Sequence, residues 1–337
     1  RVLIELILYI GIFLLVLNFF IFKVQIELVT LTFFAVAASK AFPTINQLFA
    51  SFVRIEQSIP LLKSFNNEFS NIIEFNKKTN IENIKPLKFE KNLNIKDVNF
   101  KFLEEENVNK QFKISNLNLE IKKNSITGIA GKTGTGKTTI VDLISGIYEP
   151  DEGCILLDDI KIDFTNLHHY RKNISYISQN IYLASGTIKE IIQFGSEKFN
   201  DEDQRLEKAS KKSEIYDFIN NLPNKFQTMI GDGGVDLSSG QKQRLLLARF
   251  FYSDSKILIL DEATNLLDFR TEDSLVNNLI KEKEDKVIIV VTHGIHNLKK
   301  FDNIVYIEDG RVVAEGNFET LKKESNKFNE FIYNSGQ

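Results

Sequence analysis

The run Gly131-Lys132-Thr133-Gly134-Thr135-Gly136-Lys137-Thr138 is the stretch of the chain whose residue types and spacing most directly imply chemistry. It fits the pattern G-x-x-x-x-G-K-[ST]. Glycines at those positions let successive backbone N–H groups turn inward around phosphates at a helix N-terminus, where the helix dipole also favours negative charge. Lys137 is expected to reach the β- and γ-phosphates of a nucleotide, and the Thr138 hydroxyl to bind Mg²⁺, with Thr139 next to them. A second group of the right kind lies downstream. Ile257-Leu-Ile-Leu-Asp261-Glu262 reads as an aliphatic strand that ends in two carboxylates. Asp261 could hold the Mg²⁺ through its water shell, and Glu262 could polarise an attacking water as general base.

Between these two groups stands Leu237-Ser238-Ser239-Gly240-Gln241, followed by Lys-Gln-Arg244. This segment resembles the L-S-G-G-Q signature of ATP-binding cassette (ABC) ATPases, with Ser239 where most members have glycine. The preceding Gly231–Asp236 stretch resembles the segment found there in exporters. Ser238 and the backbone of Gly240 fall at a helix start, a natural anion site. The resemblance implies that Ser238, Ser239, Gly240 and Gln241 contact the γ-phosphate held by a partner subunit, so that one chain cannot complete its own site. It also implies roles for four further residues. Gln179, in Tyr-Ile-Ser-Gln, would sense Mg²⁺, and His293, in Val-Val-Thr-His, would contact the γ-phosphate. Asp268, in Asn-Leu-Leu-Asp, would bridge the two subunits, and Phe102 would stack on adenine.

These residues need a scaffold. Leu93–Phe102 and Phe112–Ile121 alternate apolar and polar residues, as half-buried strands do. Ser125–Ala130 reads as an apolar strand that runs into the glycine-rich loop, and Thr138–Ser145 as the helix after it. Ile257–Leu260 and Val287–Val291 are short aliphatic runs bounded by charge, the signature of buried parallel strands. Lys189 to about Arg249 is mainly helical and interrupts this core. The expected fold is α/β: a P-loop ATPase domain over 92–337 with an antiparallel β-piece and a helical subdomain. Residues 76–91 are polar, lysine-rich and broken by Pro86, which makes them a linker.

The N-terminal part, 1–75, has a different texture. From Val2 to Phe22, 17 of 21 residues are Leu, Ile, Val or Phe. At about −0.3 to −0.6 kcal/mol each they favour membrane insertion by roughly 5–10 kcal/mol, against at most about 3 for Glu5. A polar turn (Lys23, Gln25, Glu27) leads to a second, weaker apolar stretch, Leu28 to about Phe42. Lys40 falls near or in the membrane, or snorkels to its surface. Two spans with a tight turn place both ends on one side, which must be the cytoplasm if the ATPase is to meet ATP. Pro43 to about Phe75 is amphipathic, with Ile45, Leu48, Phe49, Phe52, Ile55 and Ile59 on one stripe, and would carry the second helix into the cytoplasm. Arg1–Glu5, the hairpin and Ala41–Leu48 resemble the last two spans of flippases for lipid-linked oligosaccharides. The chain begins with Arg1 and reads as starting inside a larger membrane protein.

Composition narrows the remaining classes. A net charge of −3 argues against a nucleic-acid partner, and Cys154, the single cysteine, leaves no disulfide framework or cysteine-built metal site. The expectation is the C-terminal part of a multi-pass plasma- or inner-membrane ABC half-exporter. It would use ATP and Mg²⁺ and pair with a second copy or a similar half-transporter. Its cargo would be a lipid or lipid-linked glycan, with a peptide or multidrug exporter as the alternative. A soluble ABC ATPase disagrees with the span at Val2–Phe22. A degenerate, non-hydrolysing module disagrees with Lys137, Asp261, Glu262 and His293 being present.

Overall fold

The computed structural model describes Ile10, Gly11, Phe13, Leu14, Leu17, Ile21, 28–78, Leu87, 89–102, 113–196, 201–263 and 267–335. Most of the Val2–Phe22 segment, its following turn and most of the 76–91 linker therefore lie outside the described residues. The chain divides into two compact units, Arg1–Asn80 and Ile81–Gln337. In the first, the second apolar stretch and the amphipathic segment form one uninterrupted helix, Leu28–Lys78, with Pro43 and Pro60 inside it. At 1.5 Å per residue such a helix is about 77 Å long. The Ile45, Leu48, Phe49, Phe52, Ile55 and Ile59 stripe is exposed along it. Among the described residues no helix is long and apolar enough to cross a membrane.

Among its described residues the second unit holds twelve strands: β1 (Asn92–Lys101), β2 (Lys113–Lys122), β3 (Ser125–Ala130), β4 (Glu152–Leu157), β5 (Ile160–Lys161), β6 (Ile174–Ile177), β7 (Gly186–Thr187), β8 (Met229–Ile230), β9 (Ile257–Asp261), β10 (Val287–Val291), β11 (Asn303–Glu308) and β12 (Arg311–Gly316). Six of them form a sheet in the order β12-β11-β3-β10-β9-β6. Its five inner and far strands run parallel, and only β12 is antiparallel. A separate antiparallel sheet, β2-β1-β4-β5, is the β-piece expected from the alternating segments.

The aliphatic runs are continuous because both faces of the parallel sheet are covered. Successive residues point to opposite faces, and the two faces feed different cores. Ile257, Ile259, Val287, Ile289 and Val291 pack with Leu93, Ile95 and Ile140 on the antiparallel-sheet side. Leu258, Leu260, Ile288 and Val290 pack with Leu245, Leu275 and Leu206 on the helical side. That helical insert is as expected in kind but not uniform. Helices Ile188–Gln193, Glu202–Lys212 and Tyr216–Asn220 lie between the two strands of a short β7–β8 ribbon, which pairs Gly186 with Ile230, and helix Ser239–Tyr252 follows it. Substituting Ile288, fully buried in the central strand β10, with alanine should cost about 2–5 kcal/mol through lost burial and the cavity left behind. A lowered urea midpoint with an unchanged slope is the expected readout.

Candidate functional site

Parallel strands in register bring their C-terminal ends to one level, and this is where the chemistry-bearing residues hang. Val291 of β10 pairs with both Ile129 of β3 and Asp261 of β9, and Ile177 of β6 pairs with Leu260. The loops that leave β3, β10, β9 and β6 therefore lie side by side. They carry, in that spatial order, the glycine-rich loop, His293, Asp261-Glu262 and Gln179. Gln179 and Glu262, 83 positions apart in sequence, and Glu262 and His293, 31 apart, become neighbours through sheet register.

The glycine-rich loop runs straight into helix Lys137–Ile144, whose N-cap is Gly136 in the left-handed region at φ 99°. A side chain there would be strained. A Cβ on Gly131 would sit 2.4 Å from the Ile307 carbonyl oxygen, so that glycine is demanded by close approach of the backbone. Thr135 Oγ1 donates to the Lys132 carbonyl at 2.8 Å and ties the loop to itself, while Lys132, Thr133 and Gly134 are exposed along its outer edge. Lys137 is buried at 5% exposure, and its ammonium donates to the Gly131 and Lys132 carbonyls at 3.1 and 2.9 Å. Burial pushes its pKa below the usual lysine value, opposed by the charges of Glu262 and Asp261.

Glu262 is the hub. Its Oε1 lies 2.8 Å from His293 Nε2 and 3.9 Å from Lys137 Nζ, and its Oε2 accepts from Gln179 Nε2 at 3.2 Å. Its backbone holds φ 51°, a left-handed conformation rare for a non-glycine residue. Three residues thus meet on one carboxylate: Lys137, picked out by the phosphate-loop pattern, and Gln179 and His293, picked out by resemblance.

Asp261 is 1% exposed, and its Oδ1 has no hydrogen-bond partner among the described residues. Burial pushes its pKa up, a hydrogen bond from Thr138 opposes that, and Glu262 and Asp142 push it further. A buried acceptor with an empty lone pair, beside a threonine hydroxyl, suits a hard divalent cation. The residues present fit Mg²⁺, with Thr138 and Asp261 as its holders and Gln179 close by. Two neighbours escaped the sequence reading. Tyr176 on β6 donates its hydroxyl to Asp142 Oδ1 at 2.9 Å and lies 3.5 Å from Asp261 Oδ2. Burial pushes the Asp142 pKa up while Tyr176 opposes it. The available signal was spacing: Asp142 follows Thr138 by four residues and so shares its helix face.

The remaining expected residues stand apart from this cluster. Ser238 caps helix Ser239–Tyr252 through a reciprocal box, its Oγ accepting from the Gln241 N–H at 3.2 Å while Gln241 Oε1 accepts from the Ser238 N–H at 2.8 Å. Ser238 and Ser239 are exposed, Gly240 is half-buried, and among the described residues no hydrogen bond joins this segment to Lys137 or Glu262. Asp268 is exposed and caps helix Phe269–Lys281, accepting from Thr271 N–H at 3.1 Å and Thr271 Oγ1 at 2.6 Å. Thr139 is half-buried on the phosphate-loop helix. Phe102 is half-buried and meets Phe100 and Tyr148 edge-on, with ring centroids 5.0 and 5.4 Å away. Tyr148 is a further residue that the sequence reading did not single out.

Comparison with known proteins agrees with this geometry. Residues 114–265 match the ABC transporter family model. ATP-binding cassette sub-family B member 5 of Homo sapiens is 36% identical over 245 residues, 71% of this chain and 19% of its own length. The ATP-dependent lipid A-core flippase of Pectobacterium atrosepticum is 35% identical over 229 residues, covering 68% of this chain and 38% of the flippase. The heterocyst differentiation ATP-binding protein HepA of Nostoc is 30% identical over 282 residues, 82% of this chain and 45% of HepA, which reaches upstream of the Ile81–Gln337 unit. The structure of a bacterial Atm1-family ABC exporter with ATP bound superposes with a TM-score of 0.68 at 26% identity, covering 76% of this chain and 44% of that one. The chain spans less than half the length of each of these relatives. Through the match over residues 114–265 the chain belongs to the ABC transporter family.

Proposed function

We propose that this chain is the ATP-hydrolysing part of an ABC exporter, and that Glu262 is its general base. The observation that carries the reading is the convergence of Lys137, Gln179 and His293 on the Glu262 carboxylate at the end of the parallel sheet. Each of the three is a group that can instead face a phosphate or the metal. A triphosphate entering the loop competes with Glu262 for Lys137 and His293, since phosphate oxygens make strong charge-assisted bonds. A carboxylate relieved of those partners can accept the proton of an attacking water. Bound Mg²⁺ would neutralise charge on the phosphates. Asp261 and Thr138 would hold it, with Gln179 beside them, and Phe102 would stack on the base.

Ser238 and Ser239 are exposed, and among the described residues no hydrogen bond joins Ser238–Gln241 to the phosphate loop within one chain. The reading therefore includes a partner, a second copy or a similar half-transporter, whose segment closes this site while Asp268 bridges the two. The start of helix Leu28–Lys78, to about Phe42, and the Val2–Phe22 segment would lie in a membrane, with the rest of that helix and the ATP-binding unit in the cytoplasm. For cargo, the relatives named lipid A-core flippases, one 35% and one 34% identical, support a lipid or lipid-linked glycan. A multidrug substrate is the second reading, supported by the multidrug resistance protein homolog 65 of Drosophila melanogaster at 37% identity over 205 residues.

Substitutions at three positions test the site. Lys137→Ala removes the buried cation of the loop and should abolish tight ATP binding; unchanged affinity by calorimetry would show that the loop holds no phosphate. Phe102→Ala should weaken ATP binding by about 1–3 kcal/mol, the usual worth of a base–aromatic stack, and Phe102→Tyr should be nearly silent. Unaltered affinity for both ATP and GTP in the alanine variant would remove the stacking role. Glu262→Gln keeps the shape of the side chain and one accepting oxygen but not its basicity. It should bind ATP normally, turn it over very slowly, and accumulate as an ATP-bound dimer that elutes early on a sizing column. Turnover near the unmutated rate would exclude Glu262 as the base.

A further inference from the structure

The helix that starts at Asp268 and the turn that follows His293 are stapled together by side chains outside the site described so far. Glu272, in the first turn of helix Phe269–Lys281, accepts from Asn297 Nδ2 at 2.7 Å, and Asn297 is 2% exposed. One residue on, Asp273 Oδ1 takes His296 Nε2 at 2.7 Å and Lys300 Nζ at 2.5 Å. Asn277, one turn further, braces this carboxylate by donating to Oδ2 at 3.0 Å, and it accepts from the same Lys300 ammonium at 3.1 Å. The ring of Phe269 lies against that of His296, with centroids 4.8 Å apart. Both sides of the staple are short and local. Gly294, next to His293, opens the helix Ile295–Leu298, and the N–H of Asn297 closes back on the Gly294 carbonyl at 3.1 Å. On the other side, Asp268 is held to its helix by two hydrogen bonds from Thr271. Bonds from His296 and then Lys300 hold the Asp273 carboxyl at about 2, so it stays ionised across the working pH range.

We propose that Asp273 is a positioning residue for hydrolysis: with the Glu272–Asn297 bond it makes the segment from Asp268 to Asn277 and the segment from His293 to Lys300 move as one body. A displacement of Asp268 by a partner chain then becomes a displacement of His293 at the γ-phosphate of the same protomer. Coupling of this kind needs a contiguous element that both ends bias, and the staple supplies it without touching nucleotide. This inference rests on the function proposed above, in which Asp268 meets the partner and His293 meets the γ-phosphate.

The test is the lifetime of the ATP-bound dimer in the Glu262→Gln background, where turnover does not intervene. Asp273→Ala should shorten that lifetime at least fivefold while leaving ATP affinity of the separate protomers within twofold. Asp273→Glu should restore most of it. In the Glu262→Gln, His293→Ala background the same Asp273→Ala change should alter the lifetime less than twofold, because its effect runs through His293. An unchanged lifetime in the first background overturns the proposal, and so does an equal shortening in both, which would mark a general weakening of the fold. Should Asp273→Ala fail to fold, Asp273→Asn carries the same comparison, since it removes only the charge. If Glu262→Gln alone yields no ATP-bound dimer, the functional reading itself is wrong and this inference falls with it.

Discussion

The Asp261 carboxylate stands at the end of a strand buried on both faces, where an ion without compensation costs several kcal/mol. Much of the surrounding architecture can be read as the answer to that one demand. Lys137 is buried nearby as a countercharge, Thr138 bonds the carboxylate, and Tyr176 occupies the space between it and Asp142. One oxygen is left without a protein partner, which is the arrangement a cation requires and an apolar core would not tolerate. These groups arrive from β3, β6 and β9, so the site exists only if the strands hold their register. A slip of one residue in any of them would turn its terminal group to the other face of the sheet.

The same economy explains why the site is divided. Ser238 and Gln241 satisfy one another in a capping box, which fixes the first turn of the helix in place and leaves further backbone N–H groups at its exposed start. Asp268 is likewise committed to its own helix start. Both elements are pre-organised, so on the proposed function closure by a second chain would require docking and not refolding. Pre-organisation of this sort keeps the ordering cost of association low.

Much of this was legible in the sequence, for identifiable reasons. The strand limits Ser125–Ala130 and Val287–Val291 agree with the expected runs to the residue, because burial on both faces leaves no charged residue inside them. Local motifs gave the phosphate loop and the paired carboxylates, since glycine spacing and a strand-terminal Asp-Glu are written within a few positions. Tyr176, Asp142 and Tyr148 were not legible. Their partners lie 85, 34 and 46 residues away, and only sheet register and helix packing join them. The β7–β8 ribbon was missed for a related reason. Two-residue strands carry no periodicity, and they pair here only because the helical insert folds back on itself.

Asp261 and Glu262 are adjacent, and adjacent residues of an extended strand point to opposite faces. On the proposed function, Asp261 would hold the metal and Glu262 would serve as base, and both would have to address the same phosphate. The chain resolves this at Glu262, which leaves the extended conformation for φ 51° directly after β9 ends. A left-handed non-glycine residue costs of order 1–3 kcal/mol. The turn is held by the Glu262 N–H bond to the Val291 carbonyl at 3.1 Å and by the side-chain bonds to His293 and Gln179. Glycine would relieve the strain but could not supply a base. The strain is therefore located at the one position where side-chain chemistry and backbone geometry conflict, and the neighbouring strands β10 and β6 supply the contacts that hold it there.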